Sequence, residues 1–389
     1  MGLVLIVVAL LALLGHGYLW VGIVNRLHGS AGSRGFVART TRFCIFCFLL
    51  LPVLVVWRRE FLVVGSFSAV TFQAAALNTY VYGCAFWGSA KLLLLAIGDK
   101  LRDPPDVLLA WRQESSAAAA GLGLETFHGS YARLLSRVPG NQSLQLKVDF
   151  RRLKILRLQG QHEGLRLAHI SDLHMTGHMG LPWYEAVVQQ VNLLKADVVA
   201  LTGDIVEHEA CWPWLTDCLA QLRAEYGVYF VLGNHDVYID SKTTRRLLVE
   251  AGFQCLSASL IETQWRGAPV LLVGNERPWL PEVASFDAAP RRREDQLPLR
   301  IALLHSPDQF GWAAEHDVDL ALAGHTHGGQ FRLPLLGPVA CPSRHGTRYA
   351  CGVFRRENTV LHVTRGIASK MPLRWNCPPE IALLELARA

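Results

Sequence analysis

The chain has 389 residues, 51% of them hydrophobic and 18% charged, with 38 Lys and Arg against 32 Asp and Glu. This composition excludes a disordered chain, and its charged fraction falls below that of an ordinary soluble enzyme. The net charge of +6 lies wholly in residues 1–98, which hold seven bases and one acid, Glu60; the balanced remainder lacks the basic–aromatic strip of a nucleic-acid-binding module.

Gly2 to Val24 is uncharged and apolar, long enough for a helix to cross a bilayer core about 30 Å thick. No basic residue precedes this run and no small-residue cleavage site follows closely, so a retained helix is expected rather than a signal peptide. Phe43 to Trp57 is a shorter uncharged run, whose flanking Arg42, Arg58 and Arg59 would snorkel to the headgroups. Phe61 to Ala90 supplies a further span within 72–97, and a fourth would need a tight hairpin near Asn78. Residues 25–42 hold four arginines and no acid, as in loops retained on the cytoplasmic side. Three spans place everything after Gly98 in the cytoplasm; four would export it. Three are expected, making 1–98 a multi-pass transmembrane region with the lipid bilayer as its partner. The six cysteines beyond residue 98 form no regular framework, which suits reduced thiols in a cytosolic domain.

Residues 99–143 read as a linker with some helix, broken by Pro104-Pro105 and low in complexity from Ser115 to Gly123. A basic stretch follows: Arg133, Arg137, Lys147, Arg151, Arg152, Lys154 and Arg157. Leu144, Leu146, Val148 and Phe150 alternate with polar residues, so these bases are read as the solvated face of an edge strand. Contact with anionic headgroups is the alternative.

From Gly164 onward one pattern repeats, a short apolar run ending in polar residues and followed by a helix-like segment. The runs are Leu165–Ile170, Asp197–Leu201, Val228–Leu232, Ile301–Leu304 and Val318–Ala323. They lead into Asp172-x-His174, Gly203-Asp204, Gly233-Asn234-His235-Asp236, His305 and Gly324-His325-x-His327. Buried strands alternating with helices indicate an α/β architecture, in which function gathers at the carboxyl ends of the strands. Carboxylate, imidazole and amide oxygen without thiolate suit hard or borderline divalent ions. In an extended chain an i, i+2 pair shares one face, which favours Asp172 with His174 and His325 with His327 as joint ligands. Two ions about 3.5–4 Å apart share a hydroxide and hold phosphate oxygens during in-line displacement. Taken singly, each cluster is a turn or an exposed strand end. Five in order, each directly after an apolar run, are not independent accidents.

The series of motifs resembles the calcineurin-like metallophosphoesterase superfamily over residues 144–389, and in particular its membrane-associated bacterial branch. Arg365-Gly366, Pro372-Leu-Arg374 and Pro379-Glu380-Ile381 look like that branch's C-terminal strands. The resemblance implies a double β-sandwich with helices on both outer faces (αββα), behind N-terminal transmembrane helices. It implies two divalent ions (Mn, Fe, Zn or Mg), one on Asp172, His174, Asp204 and His327. The other takes Asp204, Asn234, His305 and His325, with Asp204 bridging. His235 matches the position that protonates the leaving oxygen, and Asp236 is expected to orient it. Glu207 departs from the Asp of many relatives, with no loss of metal binding expected.

Arg344 and Arg374 are candidate bidentate phosphate ligands, and His345 a candidate substrate contact. His169 is expected to pack in the core, and His178, His208 and His316 to lie in solvated loops. The function implied is membrane-anchored hydrolysis of phosphomonoesters, phosphodiesters or pyrophosphates on a small molecule or lipid, at a bacterial inner membrane with the catalytic domain cytoplasmic. Two alternatives are a pyrophosphatase of lipid-linked nucleotide-diphosphate sugars and a catalytically silent scaffold. The complete ligand set disfavours the scaffold.

Overall fold

The computed structural model describes residues 2–57, 72–101, 106–286, 298–334 and 336–388. They fall into two units, Met1–His28 with Gly32–Asp103, and Gly29–Ala31 with Pro104–Ala389. The stretch 58–71, between the second and third expected spans, lies outside the described residues.

The first unit holds α1 (Gly2–His28), α2 (Arg34–Trp57) and α3 (Phe72–Leu101). Ile6–His28 and Arg34–Trp57 are long and apolar enough to cross a bilayer. Gly15 and Gly88 mark the closest approach of α1 to α3, where a side chain at either would overlap the other helix's backbone. His16 ties the three helices together, through the Tyr80 hydroxyl (2.6 Å) and the Phe48 carbonyl (2.9 Å). The helix α3 runs unbroken through Asn78, where a fourth span would have turned back.

The second unit is a four-layer sandwich. Its first sheet is built from β1 (Leu108–Ser115), β2 (Lys147–Ile155), β3 (Arg166–Ile170), β4 (Val198–Thr202), β5 (Val228–Val231) and β6 (Gln254–Cys255), with the last strand, β15 (Glu380–Arg388). Across it the order is β1-β2-β15-β3-β4-β5-β6. The second sheet takes β7 (Leu260–Trp265), β8 (Ala268–Asn275), β9 (Leu299–Leu304), β10 (Leu320–Ala323), β13 (Gly352–Arg356) and β14 (Thr359–Val363). Its order is β13-β14-β10-β9-β8-β7, and β11 (Arg332–Leu333) with β12 (Gly337–Pro338) forms a separate hairpin. The helices are α4 (Gly129–Ser136), α5 (Leu181–Leu193), α6 (Pro213–Asp217), α7 (Asn234–Ile239), α8 (Ser241–Glu250) and α9 (Phe310–Glu315).

Side chains alternate across each strand, so every interior strand serves two cores. Leu153, Leu167, Leu303, Leu322 and Leu384 fill the space between the sheets. Ala168, Ile170, Leu201 and Phe230 face outward onto α5, α6 and α8, through Trp183, Leu215 and Leu248. On the far side Ala302, Leu304 and Ala321 meet Phe310 and Ala313 of α9.

All five apolar runs read from the sequence are strands, and β3-β4-β5 and β9-β10 pair in parallel. Their carboxyl ends therefore gather along one edge. Two features differ from expectation. Leu108–Ser115, within the expected linker, is a strand antiparallel to β2. It makes β2 an interior strand rather than an edge, so its basic residues are not simply solvated. Arg151 is buried against Asp149 (2.7 Å) and Glu380 (3.3 Å), and Arg157 pairs with Asp317 and Asp319. His169 is buried as expected, in contact with His362 of the opposite sheet (2.8 Å) and the Thr202 hydroxyl.

Candidate metal centre

The strand ends deliver their polar side chains by leaving extended geometry abruptly. Asp172, His174, Asp204, His325 and His327 all have positive φ, between 41° and 68°. Non-glycine residues occupy this region at a cost of order 1–3 kcal/mol each, and such strain clusters at functional sites. Gly203 (φ 86°) is needed at its position, because a β-carbon there would lie 2.7 Å from His305 Nδ1.

The side chains converge in two sets. In the first, His174 Nε2 and His327 Nε2 are 3.1 Å apart, and lie 3.8 and 3.6 Å from Asp172 Oδ1. In the second, His305 Nε2 is 3.2 Å from Asp204 Oδ2, 3.3 Å from Asn234 Oδ1 and 3.1 Å from His325 Nδ1. Asp204 Oδ2 also lies 3.6 Å from His174 Nε2, so this carboxylate faces both sets. Each set draws on both sheets: Asp172, His174, Asp204 and Asn234 follow strands of the first, His305, His325 and His327 strands of the second.

The hydrogen bonds behind the rings identify what these sets fit. The Thr202 carbonyl, 2.7 Å from His305 Nδ1, can only accept, so that nitrogen carries the proton and Nε2 presents a lone pair. The same reasoning applies to His174 Nδ1 on Glu207 (2.7 Å), whereas His327 Nδ1 faces both the Ala368 carbonyl (3.2 Å) and the Arg374 guanidinium (3.4 Å), an acceptor and a donor. Lone pairs and carboxylate oxygens thus face one another at 3–4 Å, and His325 Nε2 is buried without a partner. An acceptor-lined space of this kind fits cations. The surroundings favour positive charge: burial alone would depress His174, but Asp172 and Glu207 outweigh it and lift the imidazole to about 10, so a proton and a cation compete for this space.

The family model for calcineurin-like phosphoesterases matches residues 165–329, the stretch that carries every one of these motifs. The metallophosphoesterase YkuE of Bacillus subtilis is 30% identical over 241 residues, covering 58% of this chain and 79% of that protein. The phosphodiesterase YaeI of Escherichia coli is 31% identical, covering 57% of this chain and 82% of its own. The chain belongs to the calcineurin-like phosphoesterase family. A transmembrane protein with a metallophosphoesterase domain from Danio rerio matches at 26% identity across 97% of this chain and 88% of that one. The protein is a metal-dependent phosphoester hydrolase, and its family uses a dinuclear divalent site.

Within this phosphoesterase the seven expected ligands come together, and His235 stands beside them with Nε2 4.0 Å from Asp204 Oδ2. Its ring is partly exposed, as a residue meeting substrate must be. The expected orienting role of Asp236 is not what the structure shows. Asp236 is fully buried and accepts the N–H groups of Ile205, Val206 and Gly233, which fastens α7 to the loop after β4. Burial and the charge of Asp204 raise its carboxyl to about 6, against the pull of those N–H groups.

Glu207 orients His235 instead. Its Oε1 pairs with Nδ1 of both His235 and His174, so one carboxylate orients both rings. Burial would raise its pKa, but the two imidazoles hold it well below the usual carboxylate range. Glu207→Gln is expected to weaken metal affinity by roughly 10–100-fold, measured by Mn²⁺ titration of the chelated protein. Unchanged affinity would refute the orienting role.

The expected phosphate ligand Arg374 is corrected too. It is fully buried, and its guanidinium donates to the carbonyls of Arg365 (2.8 Å) and Ala368 (2.6 Å) behind His327. It braces the backbone behind His327 and lies 3.4 Å from that ring's Nδ1. Arg344 and His345 are exposed, with the Arg344 N–H donating to Asp308 (2.9 Å) and the His345 ring against Tyr349. No contact joins either to the metal-facing groups. His178 and His316 are half-buried, and His208 is exposed, its Nδ1 accepting the Ala210 N–H. A residue the sequence reading lacks is Trp279, whose ring lies 4.8 Å from His325 and 5.5 Å from His305. It walls one side of the second set.

Proposed function

We propose that this chain is a membrane-anchored phosphodiesterase that uses two divalent ions, held by Asp172, His174 and His327 on one side, Asn234, His305 and His325 on the other, and Asp204 between them. The carrying observation is that two acceptor-lined sets share the Asp204 carboxylate, with a glutamate-braced imidazole alongside. Bound divalent ions would supply Lewis-acid charge and an activated water. The chain's own part is positional. Strand ends from both sheets fix the donors, Glu207 holds His235 with Nε2 toward the reacting side, and His235 delivers a proton to the departing oxygen. Diesters are favoured because YaeI, 31% identical over 228 residues, is named a phosphodiesterase; pyrophosphates offer the same bridging oxygen.

The anchor is read from α1 and α2, and α3 is inferred to be a third crossing. The arginines between residues 25 and 42 then keep the catalytic unit in the cytoplasm. The test is metal loading of the full-length protein in detergent. Two equivalents of Mn²⁺ per chain and hydrolysis of bis(p-nitrophenyl) phosphate that chelation abolishes are expected. One equivalent at full activity would overturn the shared site. Protease shaving of sealed vesicles then reads the side on which the catalytic unit lies.

A further inference from the structure

The rim beside the metal centre carries an apolar surface that no part of the second unit covers. It starts on α4, where Tyr131 and Leu134 stand one turn apart, and runs into the following turn at Val138; all three face solvent, Leu134 being 67% exposed. Leu124, in the turn before the helix, is also exposed. The surface continues onto Trp375, because a β-carbon at Gly140, just past α4, would lie 3.3 Å from its indole nitrogen.

This surface is fastened to the site at both ends. The Tyr131 ring lies 5.6 Å from that of His178, in the loop that leaves His174. At the other end Asn141 Nδ2 bridges the Leu135 carbonyl (3.1 Å) and the Pro372 carbonyl (3.0 Å). The segment holding Pro372 and Trp375 begins at Ala368, whose carbonyl faces His327 Nδ1, and Gln330 pins it further along through Leu373 (2.8 Å). One continuous strip of chain therefore leads from a metal-facing imidazole to an exposed tryptophan.

The charges around the strip are one-sided. Arg133, Arg137 and Lys370 are exposed beside it. The nearby acid, Glu125, is turned back onto the Gly123 N–H (2.9 Å). Aromatic and aliphatic side chains rimmed by bases suit the boundary between headgroups and acyl chains, and anionic lipid attracts such bases.

We infer that this rim seats on the headgroup layer of an anionic bilayer, and that the substrate class is a phosphoester of a membrane lipid, cleaved while its acyl chains stay in the bilayer. The inference rests on the phosphoesterase reading above and on the apolar N-terminal helices, which keep the catalytic unit next to a membrane. Lipid diffusing in the plane reaches a mouth already lying on it, with no need to leave the bilayer.

The test uses the full chain in phosphatidylcholine vesicles containing 30% phosphatidylglycerol, part of it bearing an acyl-chain diazirine. Photolysis is expected to give lipid adducts in peptides covering 124–138 and 370–376, besides the N-terminal helices. The double variant Leu134→Glu, Trp375→Glu should lose these adducts at least tenfold, while metal-dependent turnover of bis(p-nitrophenyl) phosphate in the same vesicles stays as in the wild type. Adducts confined to residues 1–101, or crosslinks from these peptides to another protein copy, would overturn the docking. Wild-type protein with adducts but no metal-dependent turnover would instead remove the phosphoesterase reading, and with it the lipid's standing as substrate.

Discussion

Asp204→Asn is expected to lower turnover of bis(p-nitrophenyl) phosphate by roughly a thousandfold or more at saturating Mn²⁺, with the fold intact. The carboxylate faces both ligand sets, 3.2 Å from His305 and 3.6 Å from His174. The amide keeps the shape and one oxygen but removes the negative charge that would hold two cations close together. Losing several kcal/mol of charge stabilisation in the transition state corresponds to that factor. The backbone is expected to hold, since Asp204 Oδ1 takes the His235 N–H (2.9 Å), which an asparagine oxygen also accepts. Circular dichroism and the metal count per chain accompany the rate. Near-normal turnover with two bound ions would rule out the bridging role.

His235→Ala is expected to separate substrates by their leaving groups. On a diester that releases an alkoxide, loss of a positioned acid costs about 10²–10⁴ in kcat. A p-nitrophenolate departs without a proton, so on that substrate the loss is expected to be much smaller. The ratio of the two losses is the measurement, and equal losses would show that His235 does not act as a proton donor. Glu207 should share the leaving-group signature, because it fixes the His235 ring.

The candidate ligands are legible because each follows a run of buried aliphatics. Val198–Leu201 and Leu320–Ala323 are apolar throughout, and the first polar residues after them stand where the sheet ends. What could not be read was adjacency between loops. Glu207 lies three residues past Asp204, and only the folded arrangement brings it under a histidine from the next strand. Asp236, next to His235 in sequence, looked the better partner, yet the turn into α7 points it back at the backbone. Arg374 resembles a surface arginine until its neighbours' carbonyls are seen around it. Leu108–Ser115 shows no apolar alternation, and its outward polar residues gave no hint of a strand that exists through pairing with β2.

Because each ligand set takes side chains from both sheets, an ion in either one acts as a rivet through the sandwich. Sliding or parting the sheets must pull its donors away, so the metal and the interlayer packing yield together. A site occupied at a hundred times its dissociation constant adds about 2.7 kcal/mol to the folded state. For this enzyme the supply of metal is therefore also a supply of rigidity.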